Sequence, residues 1–248
     1  MTITEGVVLK ERSVGEQDKF IDILTKNSGV LEVNVRGAKK INGKNGSPTQ
    51  LFAYSRFCLD KRGDRLYLNS AEPIHIFYGL RSELTRISLA SYFAEILRYC
   101  IAERTDSESV MRLLLNTMHF LENGTRDEVL LRCIFELRLM SEIGYMPDVL
   151  ACRNCGEFAP EELYFSINDG GFFCKDCAGE QDTGGYFDVK LPVLEAVRHI
   201  VLSDFDRLFN FRVSESVLDK LDKLSAAYVE AHLERRFPTL DFYRSLTL

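Results

Sequence analysis

Hydrophobic and polar residues alternate along the first third of the chain. Leu31, Val33 and Val35 interleave with Glu32, Asn34 and Arg36, a period of two that predicts a strand with one buried and one exposed face. Val7-Val8-Leu9 and Phe20-Ile21-Asp22-Ile23-Leu24 predict two earlier strands, and Asn27-Ser28-Gly29 predicts the turn into the third. A Gly- and Lys-rich connection runs from Gly37 to Pro48. Leu51–Leu59 and Leu66–Leu68 then predict two more strands about a turn at Lys61-Arg62-Gly63-Asp64. Five short strands in this stretch suit a small closed barrel. The OB-fold is the commonest five-stranded one, with an SH3-like barrel as the alternative.

Beyond residue 77 the period changes. Leu80, Leu84, Ile87, Phe93, Ile96, Leu97, Cys100 and Ile101 recur at helical spacing. Thr105-x-x-Glu108 and Thr125-x-x-Glu128 have the form of capping boxes, Gly124 and Gly144 stand where helices should stop, and Pro147 forbids continuation. Helical spacing returns near Pro192 and after Ser214, where Val217, Leu218, Leu221, Leu224 and Tyr228 make a stripe. Such stripes read as core. The expected fold is α+β, with a five-stranded OB barrel at 1–78 and a mostly helical domain at 79–150 and 180–248. A cysteine element at 151–179 is expected within that helical domain.

The cysteine element carries the most specific chemistry. Cys152-Arg153-Asn154-Cys155 and Cys174-Lys175-Asp176-Cys177 are two C-x-x-C pairs with Gly156 to Phe173 between them. Two such turns supply four thiolates for one tetrahedral site, with zinc the expected metal. Four sulfur ligands leave no open position for water or substrate, so the expected role is structural. Cys58, Cys100 and Cys133 sit in apolar patterns and read as small buried hydrophobes.

Charge changes the picture next. The formal net charge is −6, but residues 1–80 carry twelve Lys/Arg against nine Asp/Glu, and residues 81–248 nineteen against twenty-eight. Within 36–65 the count is eight basic to two acidic. A basic patch on an otherwise acidic chain attracts phosphate at one face only. Arg36, Lys39, Lys40, Lys44, Lys61, Arg62 and Arg65 are the expected nucleic-acid contacts; of Phe20, Phe52, Tyr54, Phe57 and Tyr67 on the predicted strands most read as barrel core, and an exposed one there could stack a base. The segment Gly37 to Gly46 is not a nucleotide-binding loop, because five residues separate Gly37 from Gly43 and Asn45 follows Lys44. No nucleotide is expected.

Catalytic constellations are thin. His75, His119, His199 and His232 lie far apart without ligand spacing, and no G-x-S-x-G occurs. Asp204 and Asp206 read as caps beside Phe205. The chain is expected not to be an enzyme. No apolar run reaches membrane-span length, and the cysteine usage suits a reducing cytoplasm.

The ordered set Gly6-Val7-Val8-Leu9, Gly15-Glu16-Gln17-Asp18-Lys19, Gly29, and Arg36-Gly37-Ala38-Lys39-Lys40 resembles the start of the RecO family of DNA repair proteins. The helical middle and the four-cysteine element, with Gly170-Gly171-Phe172-Phe173 before its second pair, resemble the remainder. The resemblance implies binding of single- and double-stranded DNA and annealing of complementary strands. It also implies work with RecR and single-stranded-DNA-binding protein to load RecA. The loop after Ala38 departs from the family in having Lys where Arg and Ser are usual. A zinc-ribbon, OB-fold RNA-binding adaptor shares the same physics, and preference for the 2′-hydroxyl separates the two.

Overall fold

The computed structural model describes residues 1–38, 45–158, 160–179 and 186–247. Packing groups the chain into two compact units, Met1–Asn123 with Phe237–Leu248, and Gly124–Arg236.

In the first unit, β1 (Thr2–Val14), β2 (Asp18–Thr25), β3 (Gly29–Val35), β4 (Ala53–Arg62) and β5 (Arg65–Ile76) close a barrel in the order β1-β2-β3-β5-β4. Neighbours are antiparallel except β3 and β5, whose parallel pairing closes the OB-type barrel. The alternation in β3 works as predicted. Leu31, Val33 and Val35 join Ile21, Ile23 and Phe57 inside, so Glu32 and Asn34 project outward.

Several strand boundaries differ from the sequence reading, and β1 runs Thr2–Val14 where Val7–Leu9 was expected. β4 begins at Ala53 rather than Leu51, because Phe52 takes φ 63°. Its N–H donates to Val8 O at 2.9 Å and its ring is fully buried. Burying a phenylalanine contributes about 2 kcal/mol, enough to offset the cost of about 1–2 kcal/mol for a left-handed residue. β5 runs on to Ile76 through mostly exposed positions that carry no alternation. Pro73 is tolerated there because it falls at an irregularity opposite Tyr54 and Ser55.

Helices follow. A 3-10 turn (Tyr78–Arg81) leads into α1 (Leu84–Cys100) and α2 (Glu108–Asn123). α2 starts two residues later than its expected cap. Ser107 O receives Met111 N–H, while Ser107 Oγ donates to Thr25 O at 2.9 Å. A contact with the barrel therefore sets this end, not Thr105. α3 (Glu128–Glu142) is likewise capped by Asp127, whose carboxylate accepts from Leu130 N–H at 2.9 Å, and not by Thr125. Gly124 and Gly144 end their helices as predicted, at φ 61° and 96°.

The second unit holds α3 and a three-stranded sheet of β6 (Leu163–Ser166), β7 (Gly171–Cys174) and β8 (Tyr186–Val189), in the order β7-β6-β8. It continues with α4 (Lys175–Gly179), α5 (Leu191–Leu202), α6 (Phe205–Leu208) and α7 (Glu215–Leu233). α3 is buried nearly all round, Arg132 and Glu136 included. Arg132 Nη1 donates to both Glu136 oxygens at 2.7 Å, and Asp222 on α7 pairs with Nη2, which satisfies charges that would otherwise be costly to bury. Asp204 stands at the N-cap of α6 without a side-chain hydrogen bond. Finally α8 (Pro238–Thr247) returns to the first unit and packs along α1. Among the described residues, no helix is long and apolar enough to cross a membrane.

Candidate nucleic-acid interface and metal centre

The basic residues of the barrel divide by whether a carboxylate already holds them. Arg12 pairs with Glu32 and Asp22, Lys26 with Glu108, Arg56 with Glu5, and Arg98 with Asp22. Lys19 is buried, with Nζ donating to Glu11 at 2.6 Å and to Thr49 O at 2.8 Å. These cations serve the barrel itself.

Arg36, Lys61, Arg62 and Arg65 are different. All four are exposed, and none has a carboxylate partner among the described residues. Their placement follows from topology. Arg36 leaves the end of β3, where Gly37 N–H donates to Asp18 Oδ1 at 2.8 Å and ties the exit of β3 to the start of β2. Lys61, Arg62 and Arg65 flank the tight β4–β5 turn at Gly63. Because β5 pairs with β3, Tyr67 stands beside Asn34. The guanidinium carbons of Arg36 and Arg62 lie 4.9 and 5.3 Å from the Tyr67 ring centroid. Cation–π attraction of this kind holds two arginines at one aromatic side chain without neutralising either. Lys39, Lys40 and Lys44 lie outside the described residues.

The five candidate aromatics also separate. Phe52 and Phe57 are core. Tyr54 is half-buried and donates to Glu5 Oε2 at 2.8 Å, with its hydroxyl pushed up to about 12 by burial and by that bond. Phe20 and Tyr67 remain, half-buried on the outer surface. Phe20 borders a cleft that Lys61 and Arg65 also line, together with Arg104 from the α1–α2 connection. Sequence reasoning missed Arg104. A loop residue has no periodicity, and its φ of 67° is set by a bond from its N–H to Ser28 O at 2.9 Å.

The second centre is built on the two cysteine turns. Gly156 takes φ 78° and its N–H donates to Cys152 O at 2.8 Å, which folds the first pair into a tight knuckle. β7 delivers Cys174, and the first turn of α4 delivers Cys177. The ligand atoms of Cys152, Cys155, Cys174 and Cys177 all lie within 4.8 Å of one another. Cys155 and Cys174 sulfurs are 3.7 Å apart. A tetrahedron with bonds of about 2.3 Å to sulfur has edges of about 3.8 Å, so this spacing suits a single S₄-bound ion. Burial alone would raise the Cys152 thiol, but backbone N–H donors from Cys155, Cys174 and Asn154 outweigh it and bring Cys152 down to about 6. Those donors favour the thiolate that a metal needs. The four cysteines can therefore hold one metal ion.

Packing explains the first of the paired glycines before the second knuckle. Gly170 takes φ 65° in the β6–β7 turn, and a Cβ there would meet Tyr228 Oη of α7 at 2.8 Å. Tyr228 in turn donates to Tyr145 O at 3.0 Å. Cys58 and Cys133 are buried, as expected, and Cys100 is half-buried. Each histidine has a local partner, including His75 with Glu122 at 2.9 Å and His199 with Arg207 O at 3.1 Å.

Comparison with known proteins bears on both centres. Residues 1–77 match the family model for the N terminal of recombination protein O, and residues 81–241 match the model for its C terminal. Among curated proteins, the DNA repair protein RecO of Acetivibrio thermocellus is 36% identical, covering 98% of this chain and 96% of its own. The DNA repair proteins RecO of Symbiobacterium thermophilum and Alkaliphilus metalliredigens are 31% and 30% identical, each over 98% of this chain and over 96% and 98% of their own. A barrel, a helical region and a four-cysteine centre, matched along nearly their whole length, place this chain in the RecO family of DNA repair proteins.

Proposed function

We propose that the chain is a recombination mediator that binds single- and double-stranded DNA and anneals complementary strands without ATP. With RecR, it helps load RecA on DNA coated by single-stranded-DNA-binding protein. It works in the cytoplasm, at the nucleoid during repair. The observation that carries the DNA part is the set of exposed cations without carboxylate partners among the described residues, Arg36, Lys61, Arg62 and Arg65, gathered at the β3 exit and the β4–β5 turn. Loops at this end of an OB barrel commonly meet oligonucleotides. Lys39, Lys40 and Lys44 extend the same basic segment in sequence.

Annealing follows from electrostatics. Two strands repel through their phosphates, and a basic face that holds both raises their local concentration while releasing counterions. This needs no covalent step, nucleophile or nucleotide, so the chain acts as a mediator and not as an enzyme. The ion at the four cysteines is a structural Zn²⁺, one per chain, because a closed S₄ set suits zinc and leaves no coordination position for substrate.

The test mixes complementary strands, bare or coated by single-stranded-DNA-binding protein, with this protein and no nucleotide. Pairing faster than in its absence is expected. Pairing that is no faster, or that needs ATP, would overturn the proposal. A second measurement addresses the patch. Lys61→Glu with Arg62→Glu should weaken binding to all sequences alike and reduce the log–log salt slope by about 0.7 to 0.9 for each lost phosphate contact. An unchanged slope would move the DNA site elsewhere on the chain.

A further inference from the structure

We infer that copies of this chain associate head to tail, the apolar knuckle of one copy's cysteine element seating on the basic β4–β5 turn of another, so that DNA and a second copy compete for the same cations. The competition rests on the reading that this turn binds DNA, and the contact goes beyond that reading by giving the turn a second occupant.

The knuckle presents fixed apolar side chains to solvent. Cys152 N–H donates to Glu157 O at 2.8 Å, and the residues that flank this turn, Leu150 and Phe158, are 61% and 65% exposed. Exposed apolar side chains are ordinary when scattered singly, but a pair gathered at one place marks a contact surface. One buried arginine gathers these two. Arg198 Nη2 donates to Leu150 O at 2.7 Å and to Phe158 O at 2.9 Å, while Nε donates to Val149 O at 2.6 Å and Nη1 to Glu195 at 2.7 Å. Its guanidinium carbon also lies 4.4 Å from the Phe158 centroid. One face of that ring is therefore packed, and the other is open. A ring already held in place gives up little freedom on association.

Charge selects the occupant. Residues 148–178 carry six Asp/Glu against Arg153 and Lys175, and Lys175 is paired with Glu162. Glu157 and Glu161 are exposed and meet no cation among the described residues. Such a face takes a cation that also tolerates an apolar neighbour, and arginine does both by stacking on a ring while it pairs with a carboxylate. The chain carries this chemistry on its own barrel. Arg36 and Arg62 already lie against the Tyr67 ring without a carboxylate partner among the described residues, beside Lys61 and Arg65. Asp60 and Asp64 are the carboxylates of that turn, and the four cations outnumber them. Knuckle and turn are different surfaces in different units. The contact is therefore heterologous, and each associated pair keeps one knuckle and one turn open for further copies.

Sedimentation velocity of the full chain tests this. At low salt the weight-average mass should rise with protein concentration, and it should fall to that of the monomer in about tenfold more salt. An excess of short duplex should disperse the copies into single chains on DNA. Phe158→Ser should weaken the association by about two- to fivefold, the range of one exposed cation–π contact. Glu157→Lys with Glu161→Lys makes one variant, and Lys61→Glu with Arg62→Glu a second. Each alone should stay monomeric. Mixed, they should form a 1:1 complex and grow no further, since one supplies the intact turn and the other the intact knuckle; variants that had failed to fold would not restore each other. A wild type that is monomeric at every concentration, a self-association that either variant retains, a mixture that does not pair, or DNA that binds without dispersing the copies overturns this inference and leaves the DNA-binding reading standing. A chain that associates in this way but binds no DNA keeps the contact and overturns the DNA-binding reading.

Discussion

Replacing Cys152 with serine is expected to lower the melting transition of the Gly124–Arg236 unit by on the order of 10 °C. DNA binding per folded molecule should stay near wild type. Of the four cysteines that could hold a metal ion, Cys152 is the most buried. It is 3% exposed, Cys174 N–H donates to its sulfur at 3.3 Å, and its carbonyl receives the Gly156 N–H that closes the knuckle. A hydroxyl in its place is a poor ligand for zinc and leaves the other three sulfurs with an incomplete set. An ion held at about a thousand times its Kd contributes about 4 kcal/mol to the folded state. That contribution is partly folding free energy, since the unfolded chain has no preformed site. Phe173 and Ala178 pack on the cysteine cluster, and Tyr228 of α7 stands against the turn that precedes β7, so losing the ion should loosen the element and the helix beneath it. Unit and site are separate in this chain, because the four cysteines lie in Gly124–Arg236 and the exposed barrel cations in the other unit. Elemental analysis with one zinc per chain, and a melt that shifts on chelation, would agree. Well-folded protein without metal, or a chelator without effect, would refute it.

Gly29→Ala is expected to cost about 3 kcal/mol or more in a denaturant titration. Gly29 ends the β2–β3 turn at φ 65°. A side chain there pays the left-handed strain and also meets the α1–α2 connection, since a Cβ would fall 1.9 Å from Ala102 O and 3.0 Å from its carbon. That carbonyl cannot step aside cheaply. The connection is pinned by Arg104 N–H to Ser28 O and Ser107 N–H to Lys26 O, both at 2.9 Å, and by Ser107 Oγ to Thr25 O. Gly63 is the control, because it has φ 60° with nothing within 4 Å of a Cβ. Gly63→Ala should cost only the conformational strain, about 1–2 kcal/mol. If the two substitutions prove equally costly, the close approach at Ala102 is not what Gly29 serves.

Several features were legible in the residues alone, for reasons that are local. A strand with one buried face must alternate, so Leu31, Val33 and Val35 announce β3 and its orientation. Two C-x-x-C knuckles can bring four sulfurs together, so Cys152, Cys155, Cys174 and Cys177 announce the cluster that could hold a metal ion. Gly124 and Gly144 end helices because few other residues take positive φ cheaply. The rest depended on partners distant in sequence. Thr105 and Thr125 satisfy a capping pattern, yet α2 begins where Ser107 reaches Thr25, and α3 begins at Asp127. Composition cannot tell an arginine held by a carboxylate from one that meets none, so the division, among the described residues, between Arg12, Lys19 and Lys26 on one side and Arg36, Lys61, Arg62 and Arg65 on the other came from tertiary contacts, as where Lys26 meets Glu108 of α2. Tyr67 meets Arg36 and Arg62 only because β5 lies parallel to β3 across a closed barrel. The helices expected as one domain are divided between two compact units, with α1, α2 and α8 grouped with the barrel. A helical stripe states that a face is apolar and not which surface will cover it, and that choice belongs to the tertiary structure.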